Sequence, residues 1–191
     1  MSTITPSLVR DVSSRATCLY SMEDIETALA KMAKVIHNDL QDENPVVLCV
    51  LIGGIVLTGN LLTLLDFPLQ VDYINASRYN DTTRGSVLEL LVEPRKSLQG
   101  KTVLVVDDIL DHGITLAGIV KYCYEHGAAN VKTAVLVEKQ LQRPKEGLQK
   151  ADYSALEVEN RYIYGYGMDY HGYLRNAPGI YVVADEDEGS D

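Results

Sequence analysis

Cysteine is scarce in this 191-residue chain, and the three present, Cys18, Cys49 and Cys123, are scattered. Their odd number rules out a disulfide framework without a leftover thiol, and no CxxC or Cys/His spacing suggests zinc. Cys49 and Cys123 sit in apolar runs and read as buried, inert thiols. Basic residues are in deficit, since 17 Lys and Arg against 27 Asp and Glu leave a formal charge of −10. Without a basic stripe to displace counterions, a nucleic acid is a poor partner. The N-terminus, MSTITPSLVRDVSSR, lacks the apolar core of a signal peptide, so the expected location is a reducing cytoplasm. Internal repeats, low-complexity linkers and a second-domain boundary are also missing.

What is there is ordinary for a soluble globular protein. Hydrophobic residues make up 46% and charged ones 23%, which excludes collagen, a coiled coil and wholesale disorder. The length predicts one domain, taken as residues 1–184, able to bury about 70% of its unfolded surface. Asp185, Glu186, Asp187, Glu188 and Asp191 crowd the last residues, and 185–191 reads as a solvated, disordered acidic tail. The uncharged window PVVLCVLIGGIVLTGNLLTLL (45–65) has the length of a membrane span. Its β-branched start and the Gly53-Gly54 break instead predict a buried strand, a turn and a helix from about Ile55 to Leu65. No membrane partner is expected.

Ser21 opens the first clear helix, with Asp24 at the acidic capping position and Ile25, Leu29, Met32, Ile36 and Leu40 on one face. After the Gly-Gly turn and its helix, LQVDYINASRY (69–79) predicts a strand. The polar segment NDTTRGS (80–86) predicts a long loop of the kind that often forms a lid, and VLELLV (87–92) a returning strand. VLVV (103–106), ending in Asp107-Asp108, is followed by a short loop, a helix over LAGIVKYCYEHG and the strand VKTAVLV (131–137). Strand, loop, helix and strand at this spacing form a βαβ unit, so a mainly parallel sheet flanked by helices is expected. A last strand is expected near IYVVA (180–184).

Ligands of such sheets bind at the carboxyl ends of the strands. VLVVDDILDHGITLAG (103–118) places three carboxylates and a glycine turn there. Thr115 or a neighbour would cap the following helix, and the amides of residues 111–115 would form a nest for a phosphate. Asp107 and Asp108 have the wrong charge for phosphate and suit ribose hydroxyls or hydrated Mg²⁺. Phosphate, hydroxyls and magnesium together describe a sugar phosphate.

The whole string resembles the phosphoribosylpyrophosphate-binding signature of the type I phosphoribosyltransferases: an apolar strand, two acidic residues, two apolar ones, then Asp-x-Gly-x-Thr. LCVLIGG, the Asp72-Tyr73-Ile74 strand, VLVEK and YGYGMDYHGYLRNAPGI make the chain similar to the hypoxanthine-guanine phosphoribosyltransferases, bacterial ones especially, over roughly residues 17–184. That resemblance implies the type I fold, with a small hood and a flexible lid. It also implies transfer of a 5-phosphoribosyl group to hypoxanthine or guanine, with Mg²⁺ as cofactor and a homodimer or homotetramer as the assembly.

Residue roles follow from the resemblance. Asp111 matches an acid/base beside purine N7, a task a carboxylate can perform. Asp107 and Asp108 match the ribose- and metal-associated pair, and Asp111, His112, Gly113, Ile114 and Thr115 the 5′-phosphate loop. Lys139 matches the donor to purine O6, Tyr162 an aromatic stacked on the base, and Ile163 a backbone contact to its edge. Asp169 matches a Mg²⁺ ligand beside the base, and Arg175 a pyrophosphate contact. Ile52 and Gly53 match the pyrophosphate loop, where Ile52 stands in place of the usual Lys or Arg and the Ile52–Gly53 peptide is expected to be cis. In the lid, Arg78-Tyr79 replaces the usual Ser-Tyr, leaving Tyr79 to cover the leaving group and Arg78 to return positive charge.

Other readings fit less well. VLVVDD also opens response-regulator receivers, but those place the phosphorylated Asp on a strand some 45 residues later, and Asp152 lies on a polar connection. A regulator that senses phosphoribosylpyrophosphate would need a nucleic-acid surface, which an acidic chain lacks. A xanthine-preferring relative stays open, because the 2-position of the base is read in this family largely by backbone carbonyls.

Overall fold

Successive residues of a strand face opposite ways, so a run apolar at every position needs cover on both faces. Val47, Leu104 and Val106 enter one core, while Val46, Leu48, Val103 and Val105 enter another. The computed structural model describes residues 4–81 and 85–188, and for 77–81 and 85–89 the backbone alone. In chain order the elements are α1 (Pro6–Arg15), β1 (Thr17–Tyr20), α2 (Met22–Leu40), β2 (Val46–Leu51), α3 (Ile55–Leu62), β3 (Gln70–Asp81) and β4 (Gly85–Val92). Then come β5 (Thr102–Leu110), α4 (Ile114–Glu125), β6 (Asn130–Gln140), β7 (Tyr153–Glu159), β8 (Ile163–Tyr164), β9 (Ile180–Val182) and a 3-10 turn at Asp185–Asp187.

The main sheet has the order β4-β3-β2-β5-β6-β7 and is parallel except for the β3–β4 pair. A smaller antiparallel sheet, β1-β9-β8, forms the hood. Helices α2 and α3 cover one face of the main sheet through Ile25, Leu29, Ile36, Leu57 and Leu61. Helix α4 covers the other through Leu116, Ile119 and Cys123. The α2 start is the expected capping box: Asp24 N–H donates to Ser21 Oγ at 3.2 Å, and Ser21 N–H donates to Asp24 Oδ2 at 2.9 Å. Helix α3 ends at Leu62, short of the expected Leu65. Among the described residues no helix is long and apolar enough to cross a membrane.

Two expectations need correction. Within the polar 80–86 segment Asn80 and Asp81 pair with Ser86 and Gly85 as ladder, and 82–84 lie outside the described residues. Backbone hydrogen bonding carries that hairpin past the end of the apolar pattern. The acidic tail, expected to be solvated, is docked over residues 185–188, and 189–191 lie outside the described residues. Arg15 on α1 donates to Asp187 through Nε at 3.0 Å and Nη2 at 2.6 Å, and Arg161 pairs with Asp185 and Glu188. Tyr170 Oη also donates to the Asp187 carbonyl, at 3.4 Å, tying the turn to the hood core of Val12, Tyr164, Tyr170 and Val183. Asp187→Ala should lower Tm by several degrees in thermal denaturation. Asp185→Ala, an exposed partner, should shift it by no more than about 1 °C. Equal shifts would mean that Asp187 does not anchor the tail.

Candidate active site

The site follows from where two strands stop pairing. β2 pairs with β5 only as far as Cys49 and Val106, after which β2 turns at Gly53-Gly54 into α3 while β5 runs on to Leu110. Helices α3 and α4 leave toward opposite faces, so a crevice opens between β2 and β5 at their carboxyl ends, the switch point of an open parallel sheet. A cleft of about 560 Å³ occupies it. It is lined by Ile52, Gly53, Asp107, Asp108, Asp111 and the loop His112–Thr115 on the main sheet. Lys139, Tyr162, Ile163, Asp169 and Arg175 line it from β6 and the hood. Arg78 and Tyr79 lie on β3, and their side chains are outside the described residues.

At the β2 turn the fit is close. The cis peptide is Leu51–Ile52, one bond before the expected Ile52–Gly53. A Cβ on Gly53 would stand 2.1 Å from Asp108 Oδ2 and one on Gly54 2.6 Å from the Val106 carbonyl oxygen, so a side chain at this turn would displace the Asp108 carboxylate or the strand backbone. The Ile52 side chain is 59% exposed and brings no charge. Asp107 is half-buried and Asp108 buried. Burial pushes both carboxyls above the usual range, and Asp107 is pushed further by its neighbour's charge. The Arg175 guanidinium opposes the shift at Asp108 from 3.9 Å, too far for a hydrogen bond.

The loop after β5 is fastened from behind. Gly113, at φ +75°, is the N-cap of α4, and Thr115 lies inside the first turn instead of capping it. A Cβ at Gly113 would be 2.4 Å from the Leu148 carbonyl. The Gly113 carbonyl accepts from Leu148 N–H at 3.0 Å, and the Asp111 carbonyl accepts from Arg143 Nε at 2.8 Å. With these carbonyls tied to the 143–149 segment behind, the loop's amides are left for the cleft and the positive end of α4.

Asp111 Oδ2 lies 3.3 Å from His112 Nδ1. Its Oδ1 is buried, has no hydrogen-bond partner among the described residues, and stands 3.8 Å from Lys139 Nζ. An unsatisfied buried carboxylate oxygen beside an ammonium is a proton acceptor next to a donor. In the hood, the Tyr162 ring packs 5.6 Å from that of Tyr170, and Ile163 is buried on β8. Asp169 binds Arg175 Nη2 at 2.6 Å and accepts from Gly172 N–H at 2.6 Å, so its carboxylate is already engaged. Arg175 Nη1 also donates to the Gly167 carbonyl at 2.7 Å.

Magnesium fits this donor set only together with a ligand. Among the described residues no three acidic, histidine or cysteine side chains are grouped to hold a cation alone. Two adjacent carboxylates, one half-buried and one buried, with no cation in hydrogen-bond reach among the described residues, suit a Mg²⁺ carried on phosphate oxygens.

Residues 16–171 match the phosphoribosyl transferase domain family. The chain belongs to that family. This phosphoribosyltransferase is 34% identical over 165 residues to the hypoxanthine-guanine-xanthine phosphoribosyltransferase of Tritrichomonas foetus, covering 86% of this chain and 90% of that one. It is 31% identical over 169 residues to the hypoxanthine-guanine phosphoribosyltransferase of Lactococcus lactis, covering 88% and 91%. A solved hypoxanthine-guanine-xanthine phosphoribosyltransferase superposes with a TM-score of 0.78 at 32% identity, covering 88% of this chain and 97% of that one. The type I fold expected of the phosphoribosyltransferase is the one observed.

Apart from Arg78 and Tyr79, the structure brings every residue of the expected site to one cleft. Arg143 went unnoticed in the sequence. It lies in a polar connection between two strands, and only its buried contacts mark it out.

Proposed function

We propose that this phosphoribosyltransferase moves the 5-phosphoribosyl group of phosphoribosylpyrophosphate onto hypoxanthine or guanine, forming IMP or GMP and releasing pyrophosphate. The observation that carries this is the ion pair of Lys139 Nζ with Asp111 Oδ1, 3.8 Å apart, an oxygen that accepts no hydrogen bond among the described residues. On a 6-oxopurine, O6 and N7 sit side by side on one edge. Lys139 has only donors to offer O6, and Asp111 accepts the proton of N7. A 6-amino group would set donor against donor.

The chemistry is then distributed over the cleft. Purine N9 forms its bond to C1′ as the C1′–oxygen bond to pyrophosphate breaks, and the N7 proton passes to Asp111. Positive charge growing on the ribose ring is stabilised by the carboxylates around it, as in glycoside hydrolysis. The 111–115 amides hold the 5′-phosphate, while the Gly53 turn and Arg175 receive pyrophosphate. Tyr162 stacks on the base and the Ile163 backbone meets its edge. Asp107 and Asp108 bind the ribose hydroxyls and, with Asp169, would hold Mg²⁺. When bound, Mg²⁺ supplies neutralisation of the departing pyrophosphate.

The test is nucleotide formation from phosphoribosylpyrophosphate and Mg²⁺ with hypoxanthine, guanine, xanthine and adenine in parallel. IMP and GMP should form rapidly, with little AMP, and the xanthine rate ranks the xanthine-preferring reading. Tight phosphoribosylpyrophosphate binding with no product from any base would instead favour a sensor. Lys139→Ala should cut the hypoxanthine-to-adenine ratio of kcat/KM by about 100-fold, the scale on which a lost polar contact erodes discrimination. An unchanged ratio removes Lys139 from the base site.

A further inference from the structure

Between β6 and β7 the chain makes a polar excursion, and within it Arg143 is nearly closed off from solvent, its side chain 7% exposed. A guanidinium is buried at tolerable cost only when its N–H groups are matched. It has five, and each one here has an acceptor. Nε donates to the Asp111 carbonyl at 2.8 Å. Nη2 donates to the carbonyls of Leu110 at 3.1 Å and Lys139 at 2.6 Å. Nη1 donates to the Gln149 carbonyl at 3.0 Å and reaches Glu138 Oε1 at 3.5 Å. The contact to the carboxylate is the longest, and Glu138 Oε2 has no partner among the described residues. Arg143 is therefore held chiefly by main-chain carbonyls.

Two of the stretches it joins carry the groups that meet the base. Leu110 and Asp111 end β5 and begin the phosphate loop, whereas Lys139 lies near the end of β6. The Asp111 and Lys139 side chains face each other as an ion pair with Nζ 3.8 Å from Oδ1, longer than a hydrogen bond, so no hydrogen bond between them sets their spacing. We infer that Arg143 is a positioning residue: it locks the backbone of Asp111 to that of Lys139 and thereby sets the separation of the N7 acceptor and the O6 donor. The inference rests on the roles proposed above for those two side chains. Lysine cannot replace it, because a single ammonium with three donors does not span carbonyls from three stretches.

The experiment compares Arg143→Lys, Glu138→Gln, Asp111→Asn and the Asp111→Asn/Arg143→Lys double variant. Circular dichroism and Tm establish that each is folded. Arg143→Gln, which keeps two N–H donors, goes through the same comparison if the lysine variant does not fold. Arg143→Lys should lower kcat with hypoxanthine by about 10- to 100-fold, the scale of a misplacement near 1 Å, with a smaller change in KM for phosphoribosylpyrophosphate. In the Asp111→Asn background the same change should cost less than about 3-fold, since no carboxylate remains to be positioned. An equal loss in both backgrounds indicates a merely structural role and overturns the inference. Glu138→Gln should keep kcat within about 3-fold; a loss as large as that of Arg143→Lys makes the ion pair the active element and also overturns it. Should Asp111→Asn alone turn over normally, the Asp111 assignment fails by itself. The clamp is then judged on the preference for hypoxanthine over adenine, which Arg143→Lys must still relax.

Discussion

Asp111→Asn should lower kcat by about 10²- to 10⁴-fold, the usual contribution of general acid–base catalysis, while phosphoribosylpyrophosphate binding stays within about 3-fold. The amide keeps the shape of the side chain but cannot take a proton, and it removes a negative charge facing the developing ribose cation. Binding should survive because, on the proposed roles, loop amides hold the phosphate, and the loop is fastened from behind through the Gly113 and Asp111 carbonyls, not through the Asp111 carboxylate. Steady-state kinetics with hypoxanthine and calorimetric titration with phosphoribosylpyrophosphate and Mg²⁺ separate the two quantities. Near-normal turnover would remove Asp111 from its proposed role. A binding loss as large as the loss in turnover would make it a substrate-holding residue.

Asp107→Asn should make the free protein more stable and the loaded one less so. Burial raises the folded-state pKa of Asp107 above its unfolded value, and the adjacent Asp108 raises it further. The native state therefore binds the proton more tightly than the unfolded chain does. Stability contributed by the protonated form is present below the unfolded pKa and is lost as pH rises through the folded one. At neutral pH the wild type carries that penalty and the asparagine variant does not. For a chain of this size each kcal/mol relieved raises Tm by about 2–4 °C. The gain should be largest at pH 7–8 and fade toward about pH 4, and Mg²⁺ with phosphoribosylpyrophosphate should raise the Tm of wild type more than that of the variant. Thermal melts across this range with and without ligand measure both effects. A variant less stable than wild type at pH 7 without ligand would show that Asp107 is held by favourable contacts.

The pattern is that of a site whose charge is arranged for its ligand. Asp107 and Asp108 sit beyond the last pairing of β2 with β5, beside a glycine turn that admits no Cβ. Among the described residues, the Arg175 guanidinium lies 3.9 Å from Asp108 and is already bound to Asp169. On the roles proposed above, such a pair would gain its partners when substrate and metal bind, and the two cores on either side of the sheet would carry the cost in the free protein.

Much of this could be read from the sequence because it is written in short-range signals. The apolar runs at 46–51 and 103–106 declare buried strands, Ser21 and Asp24 declare a helix start, and Gly113 supplies the left-handed residue that begins α4. Asp107, Asp108 and Asp111 stand at the carboxyl end of a strand, where an open parallel sheet binds its ligands, so their placement needed only the βαβ reading. Where local signals were weak the reading was incomplete. Helix α1 buries only Val9 and Val12, β1 shows no apolar alternation, and β7 has mixed burial. These elements are stabilised by partners far away in the chain, such as β9 for β1 and β6 for β7.

Composition and order of residues thus determined the parallel α/β sheet, the acidic strand end with its phosphate loop and the resemblance to a phosphoribosyltransferase. Tertiary structure alone decided that residues 185–188 dock through Arg15 and Asp187, and that Asp169 is bound to Arg175. It alone decided that Arg143 ties the Asp111 loop to Lys139. The reason is range: strand periodicity and capping are properties of neighbouring residues, whereas a buried ion or guanidinium takes its partners from distant stretches that only packing brings together.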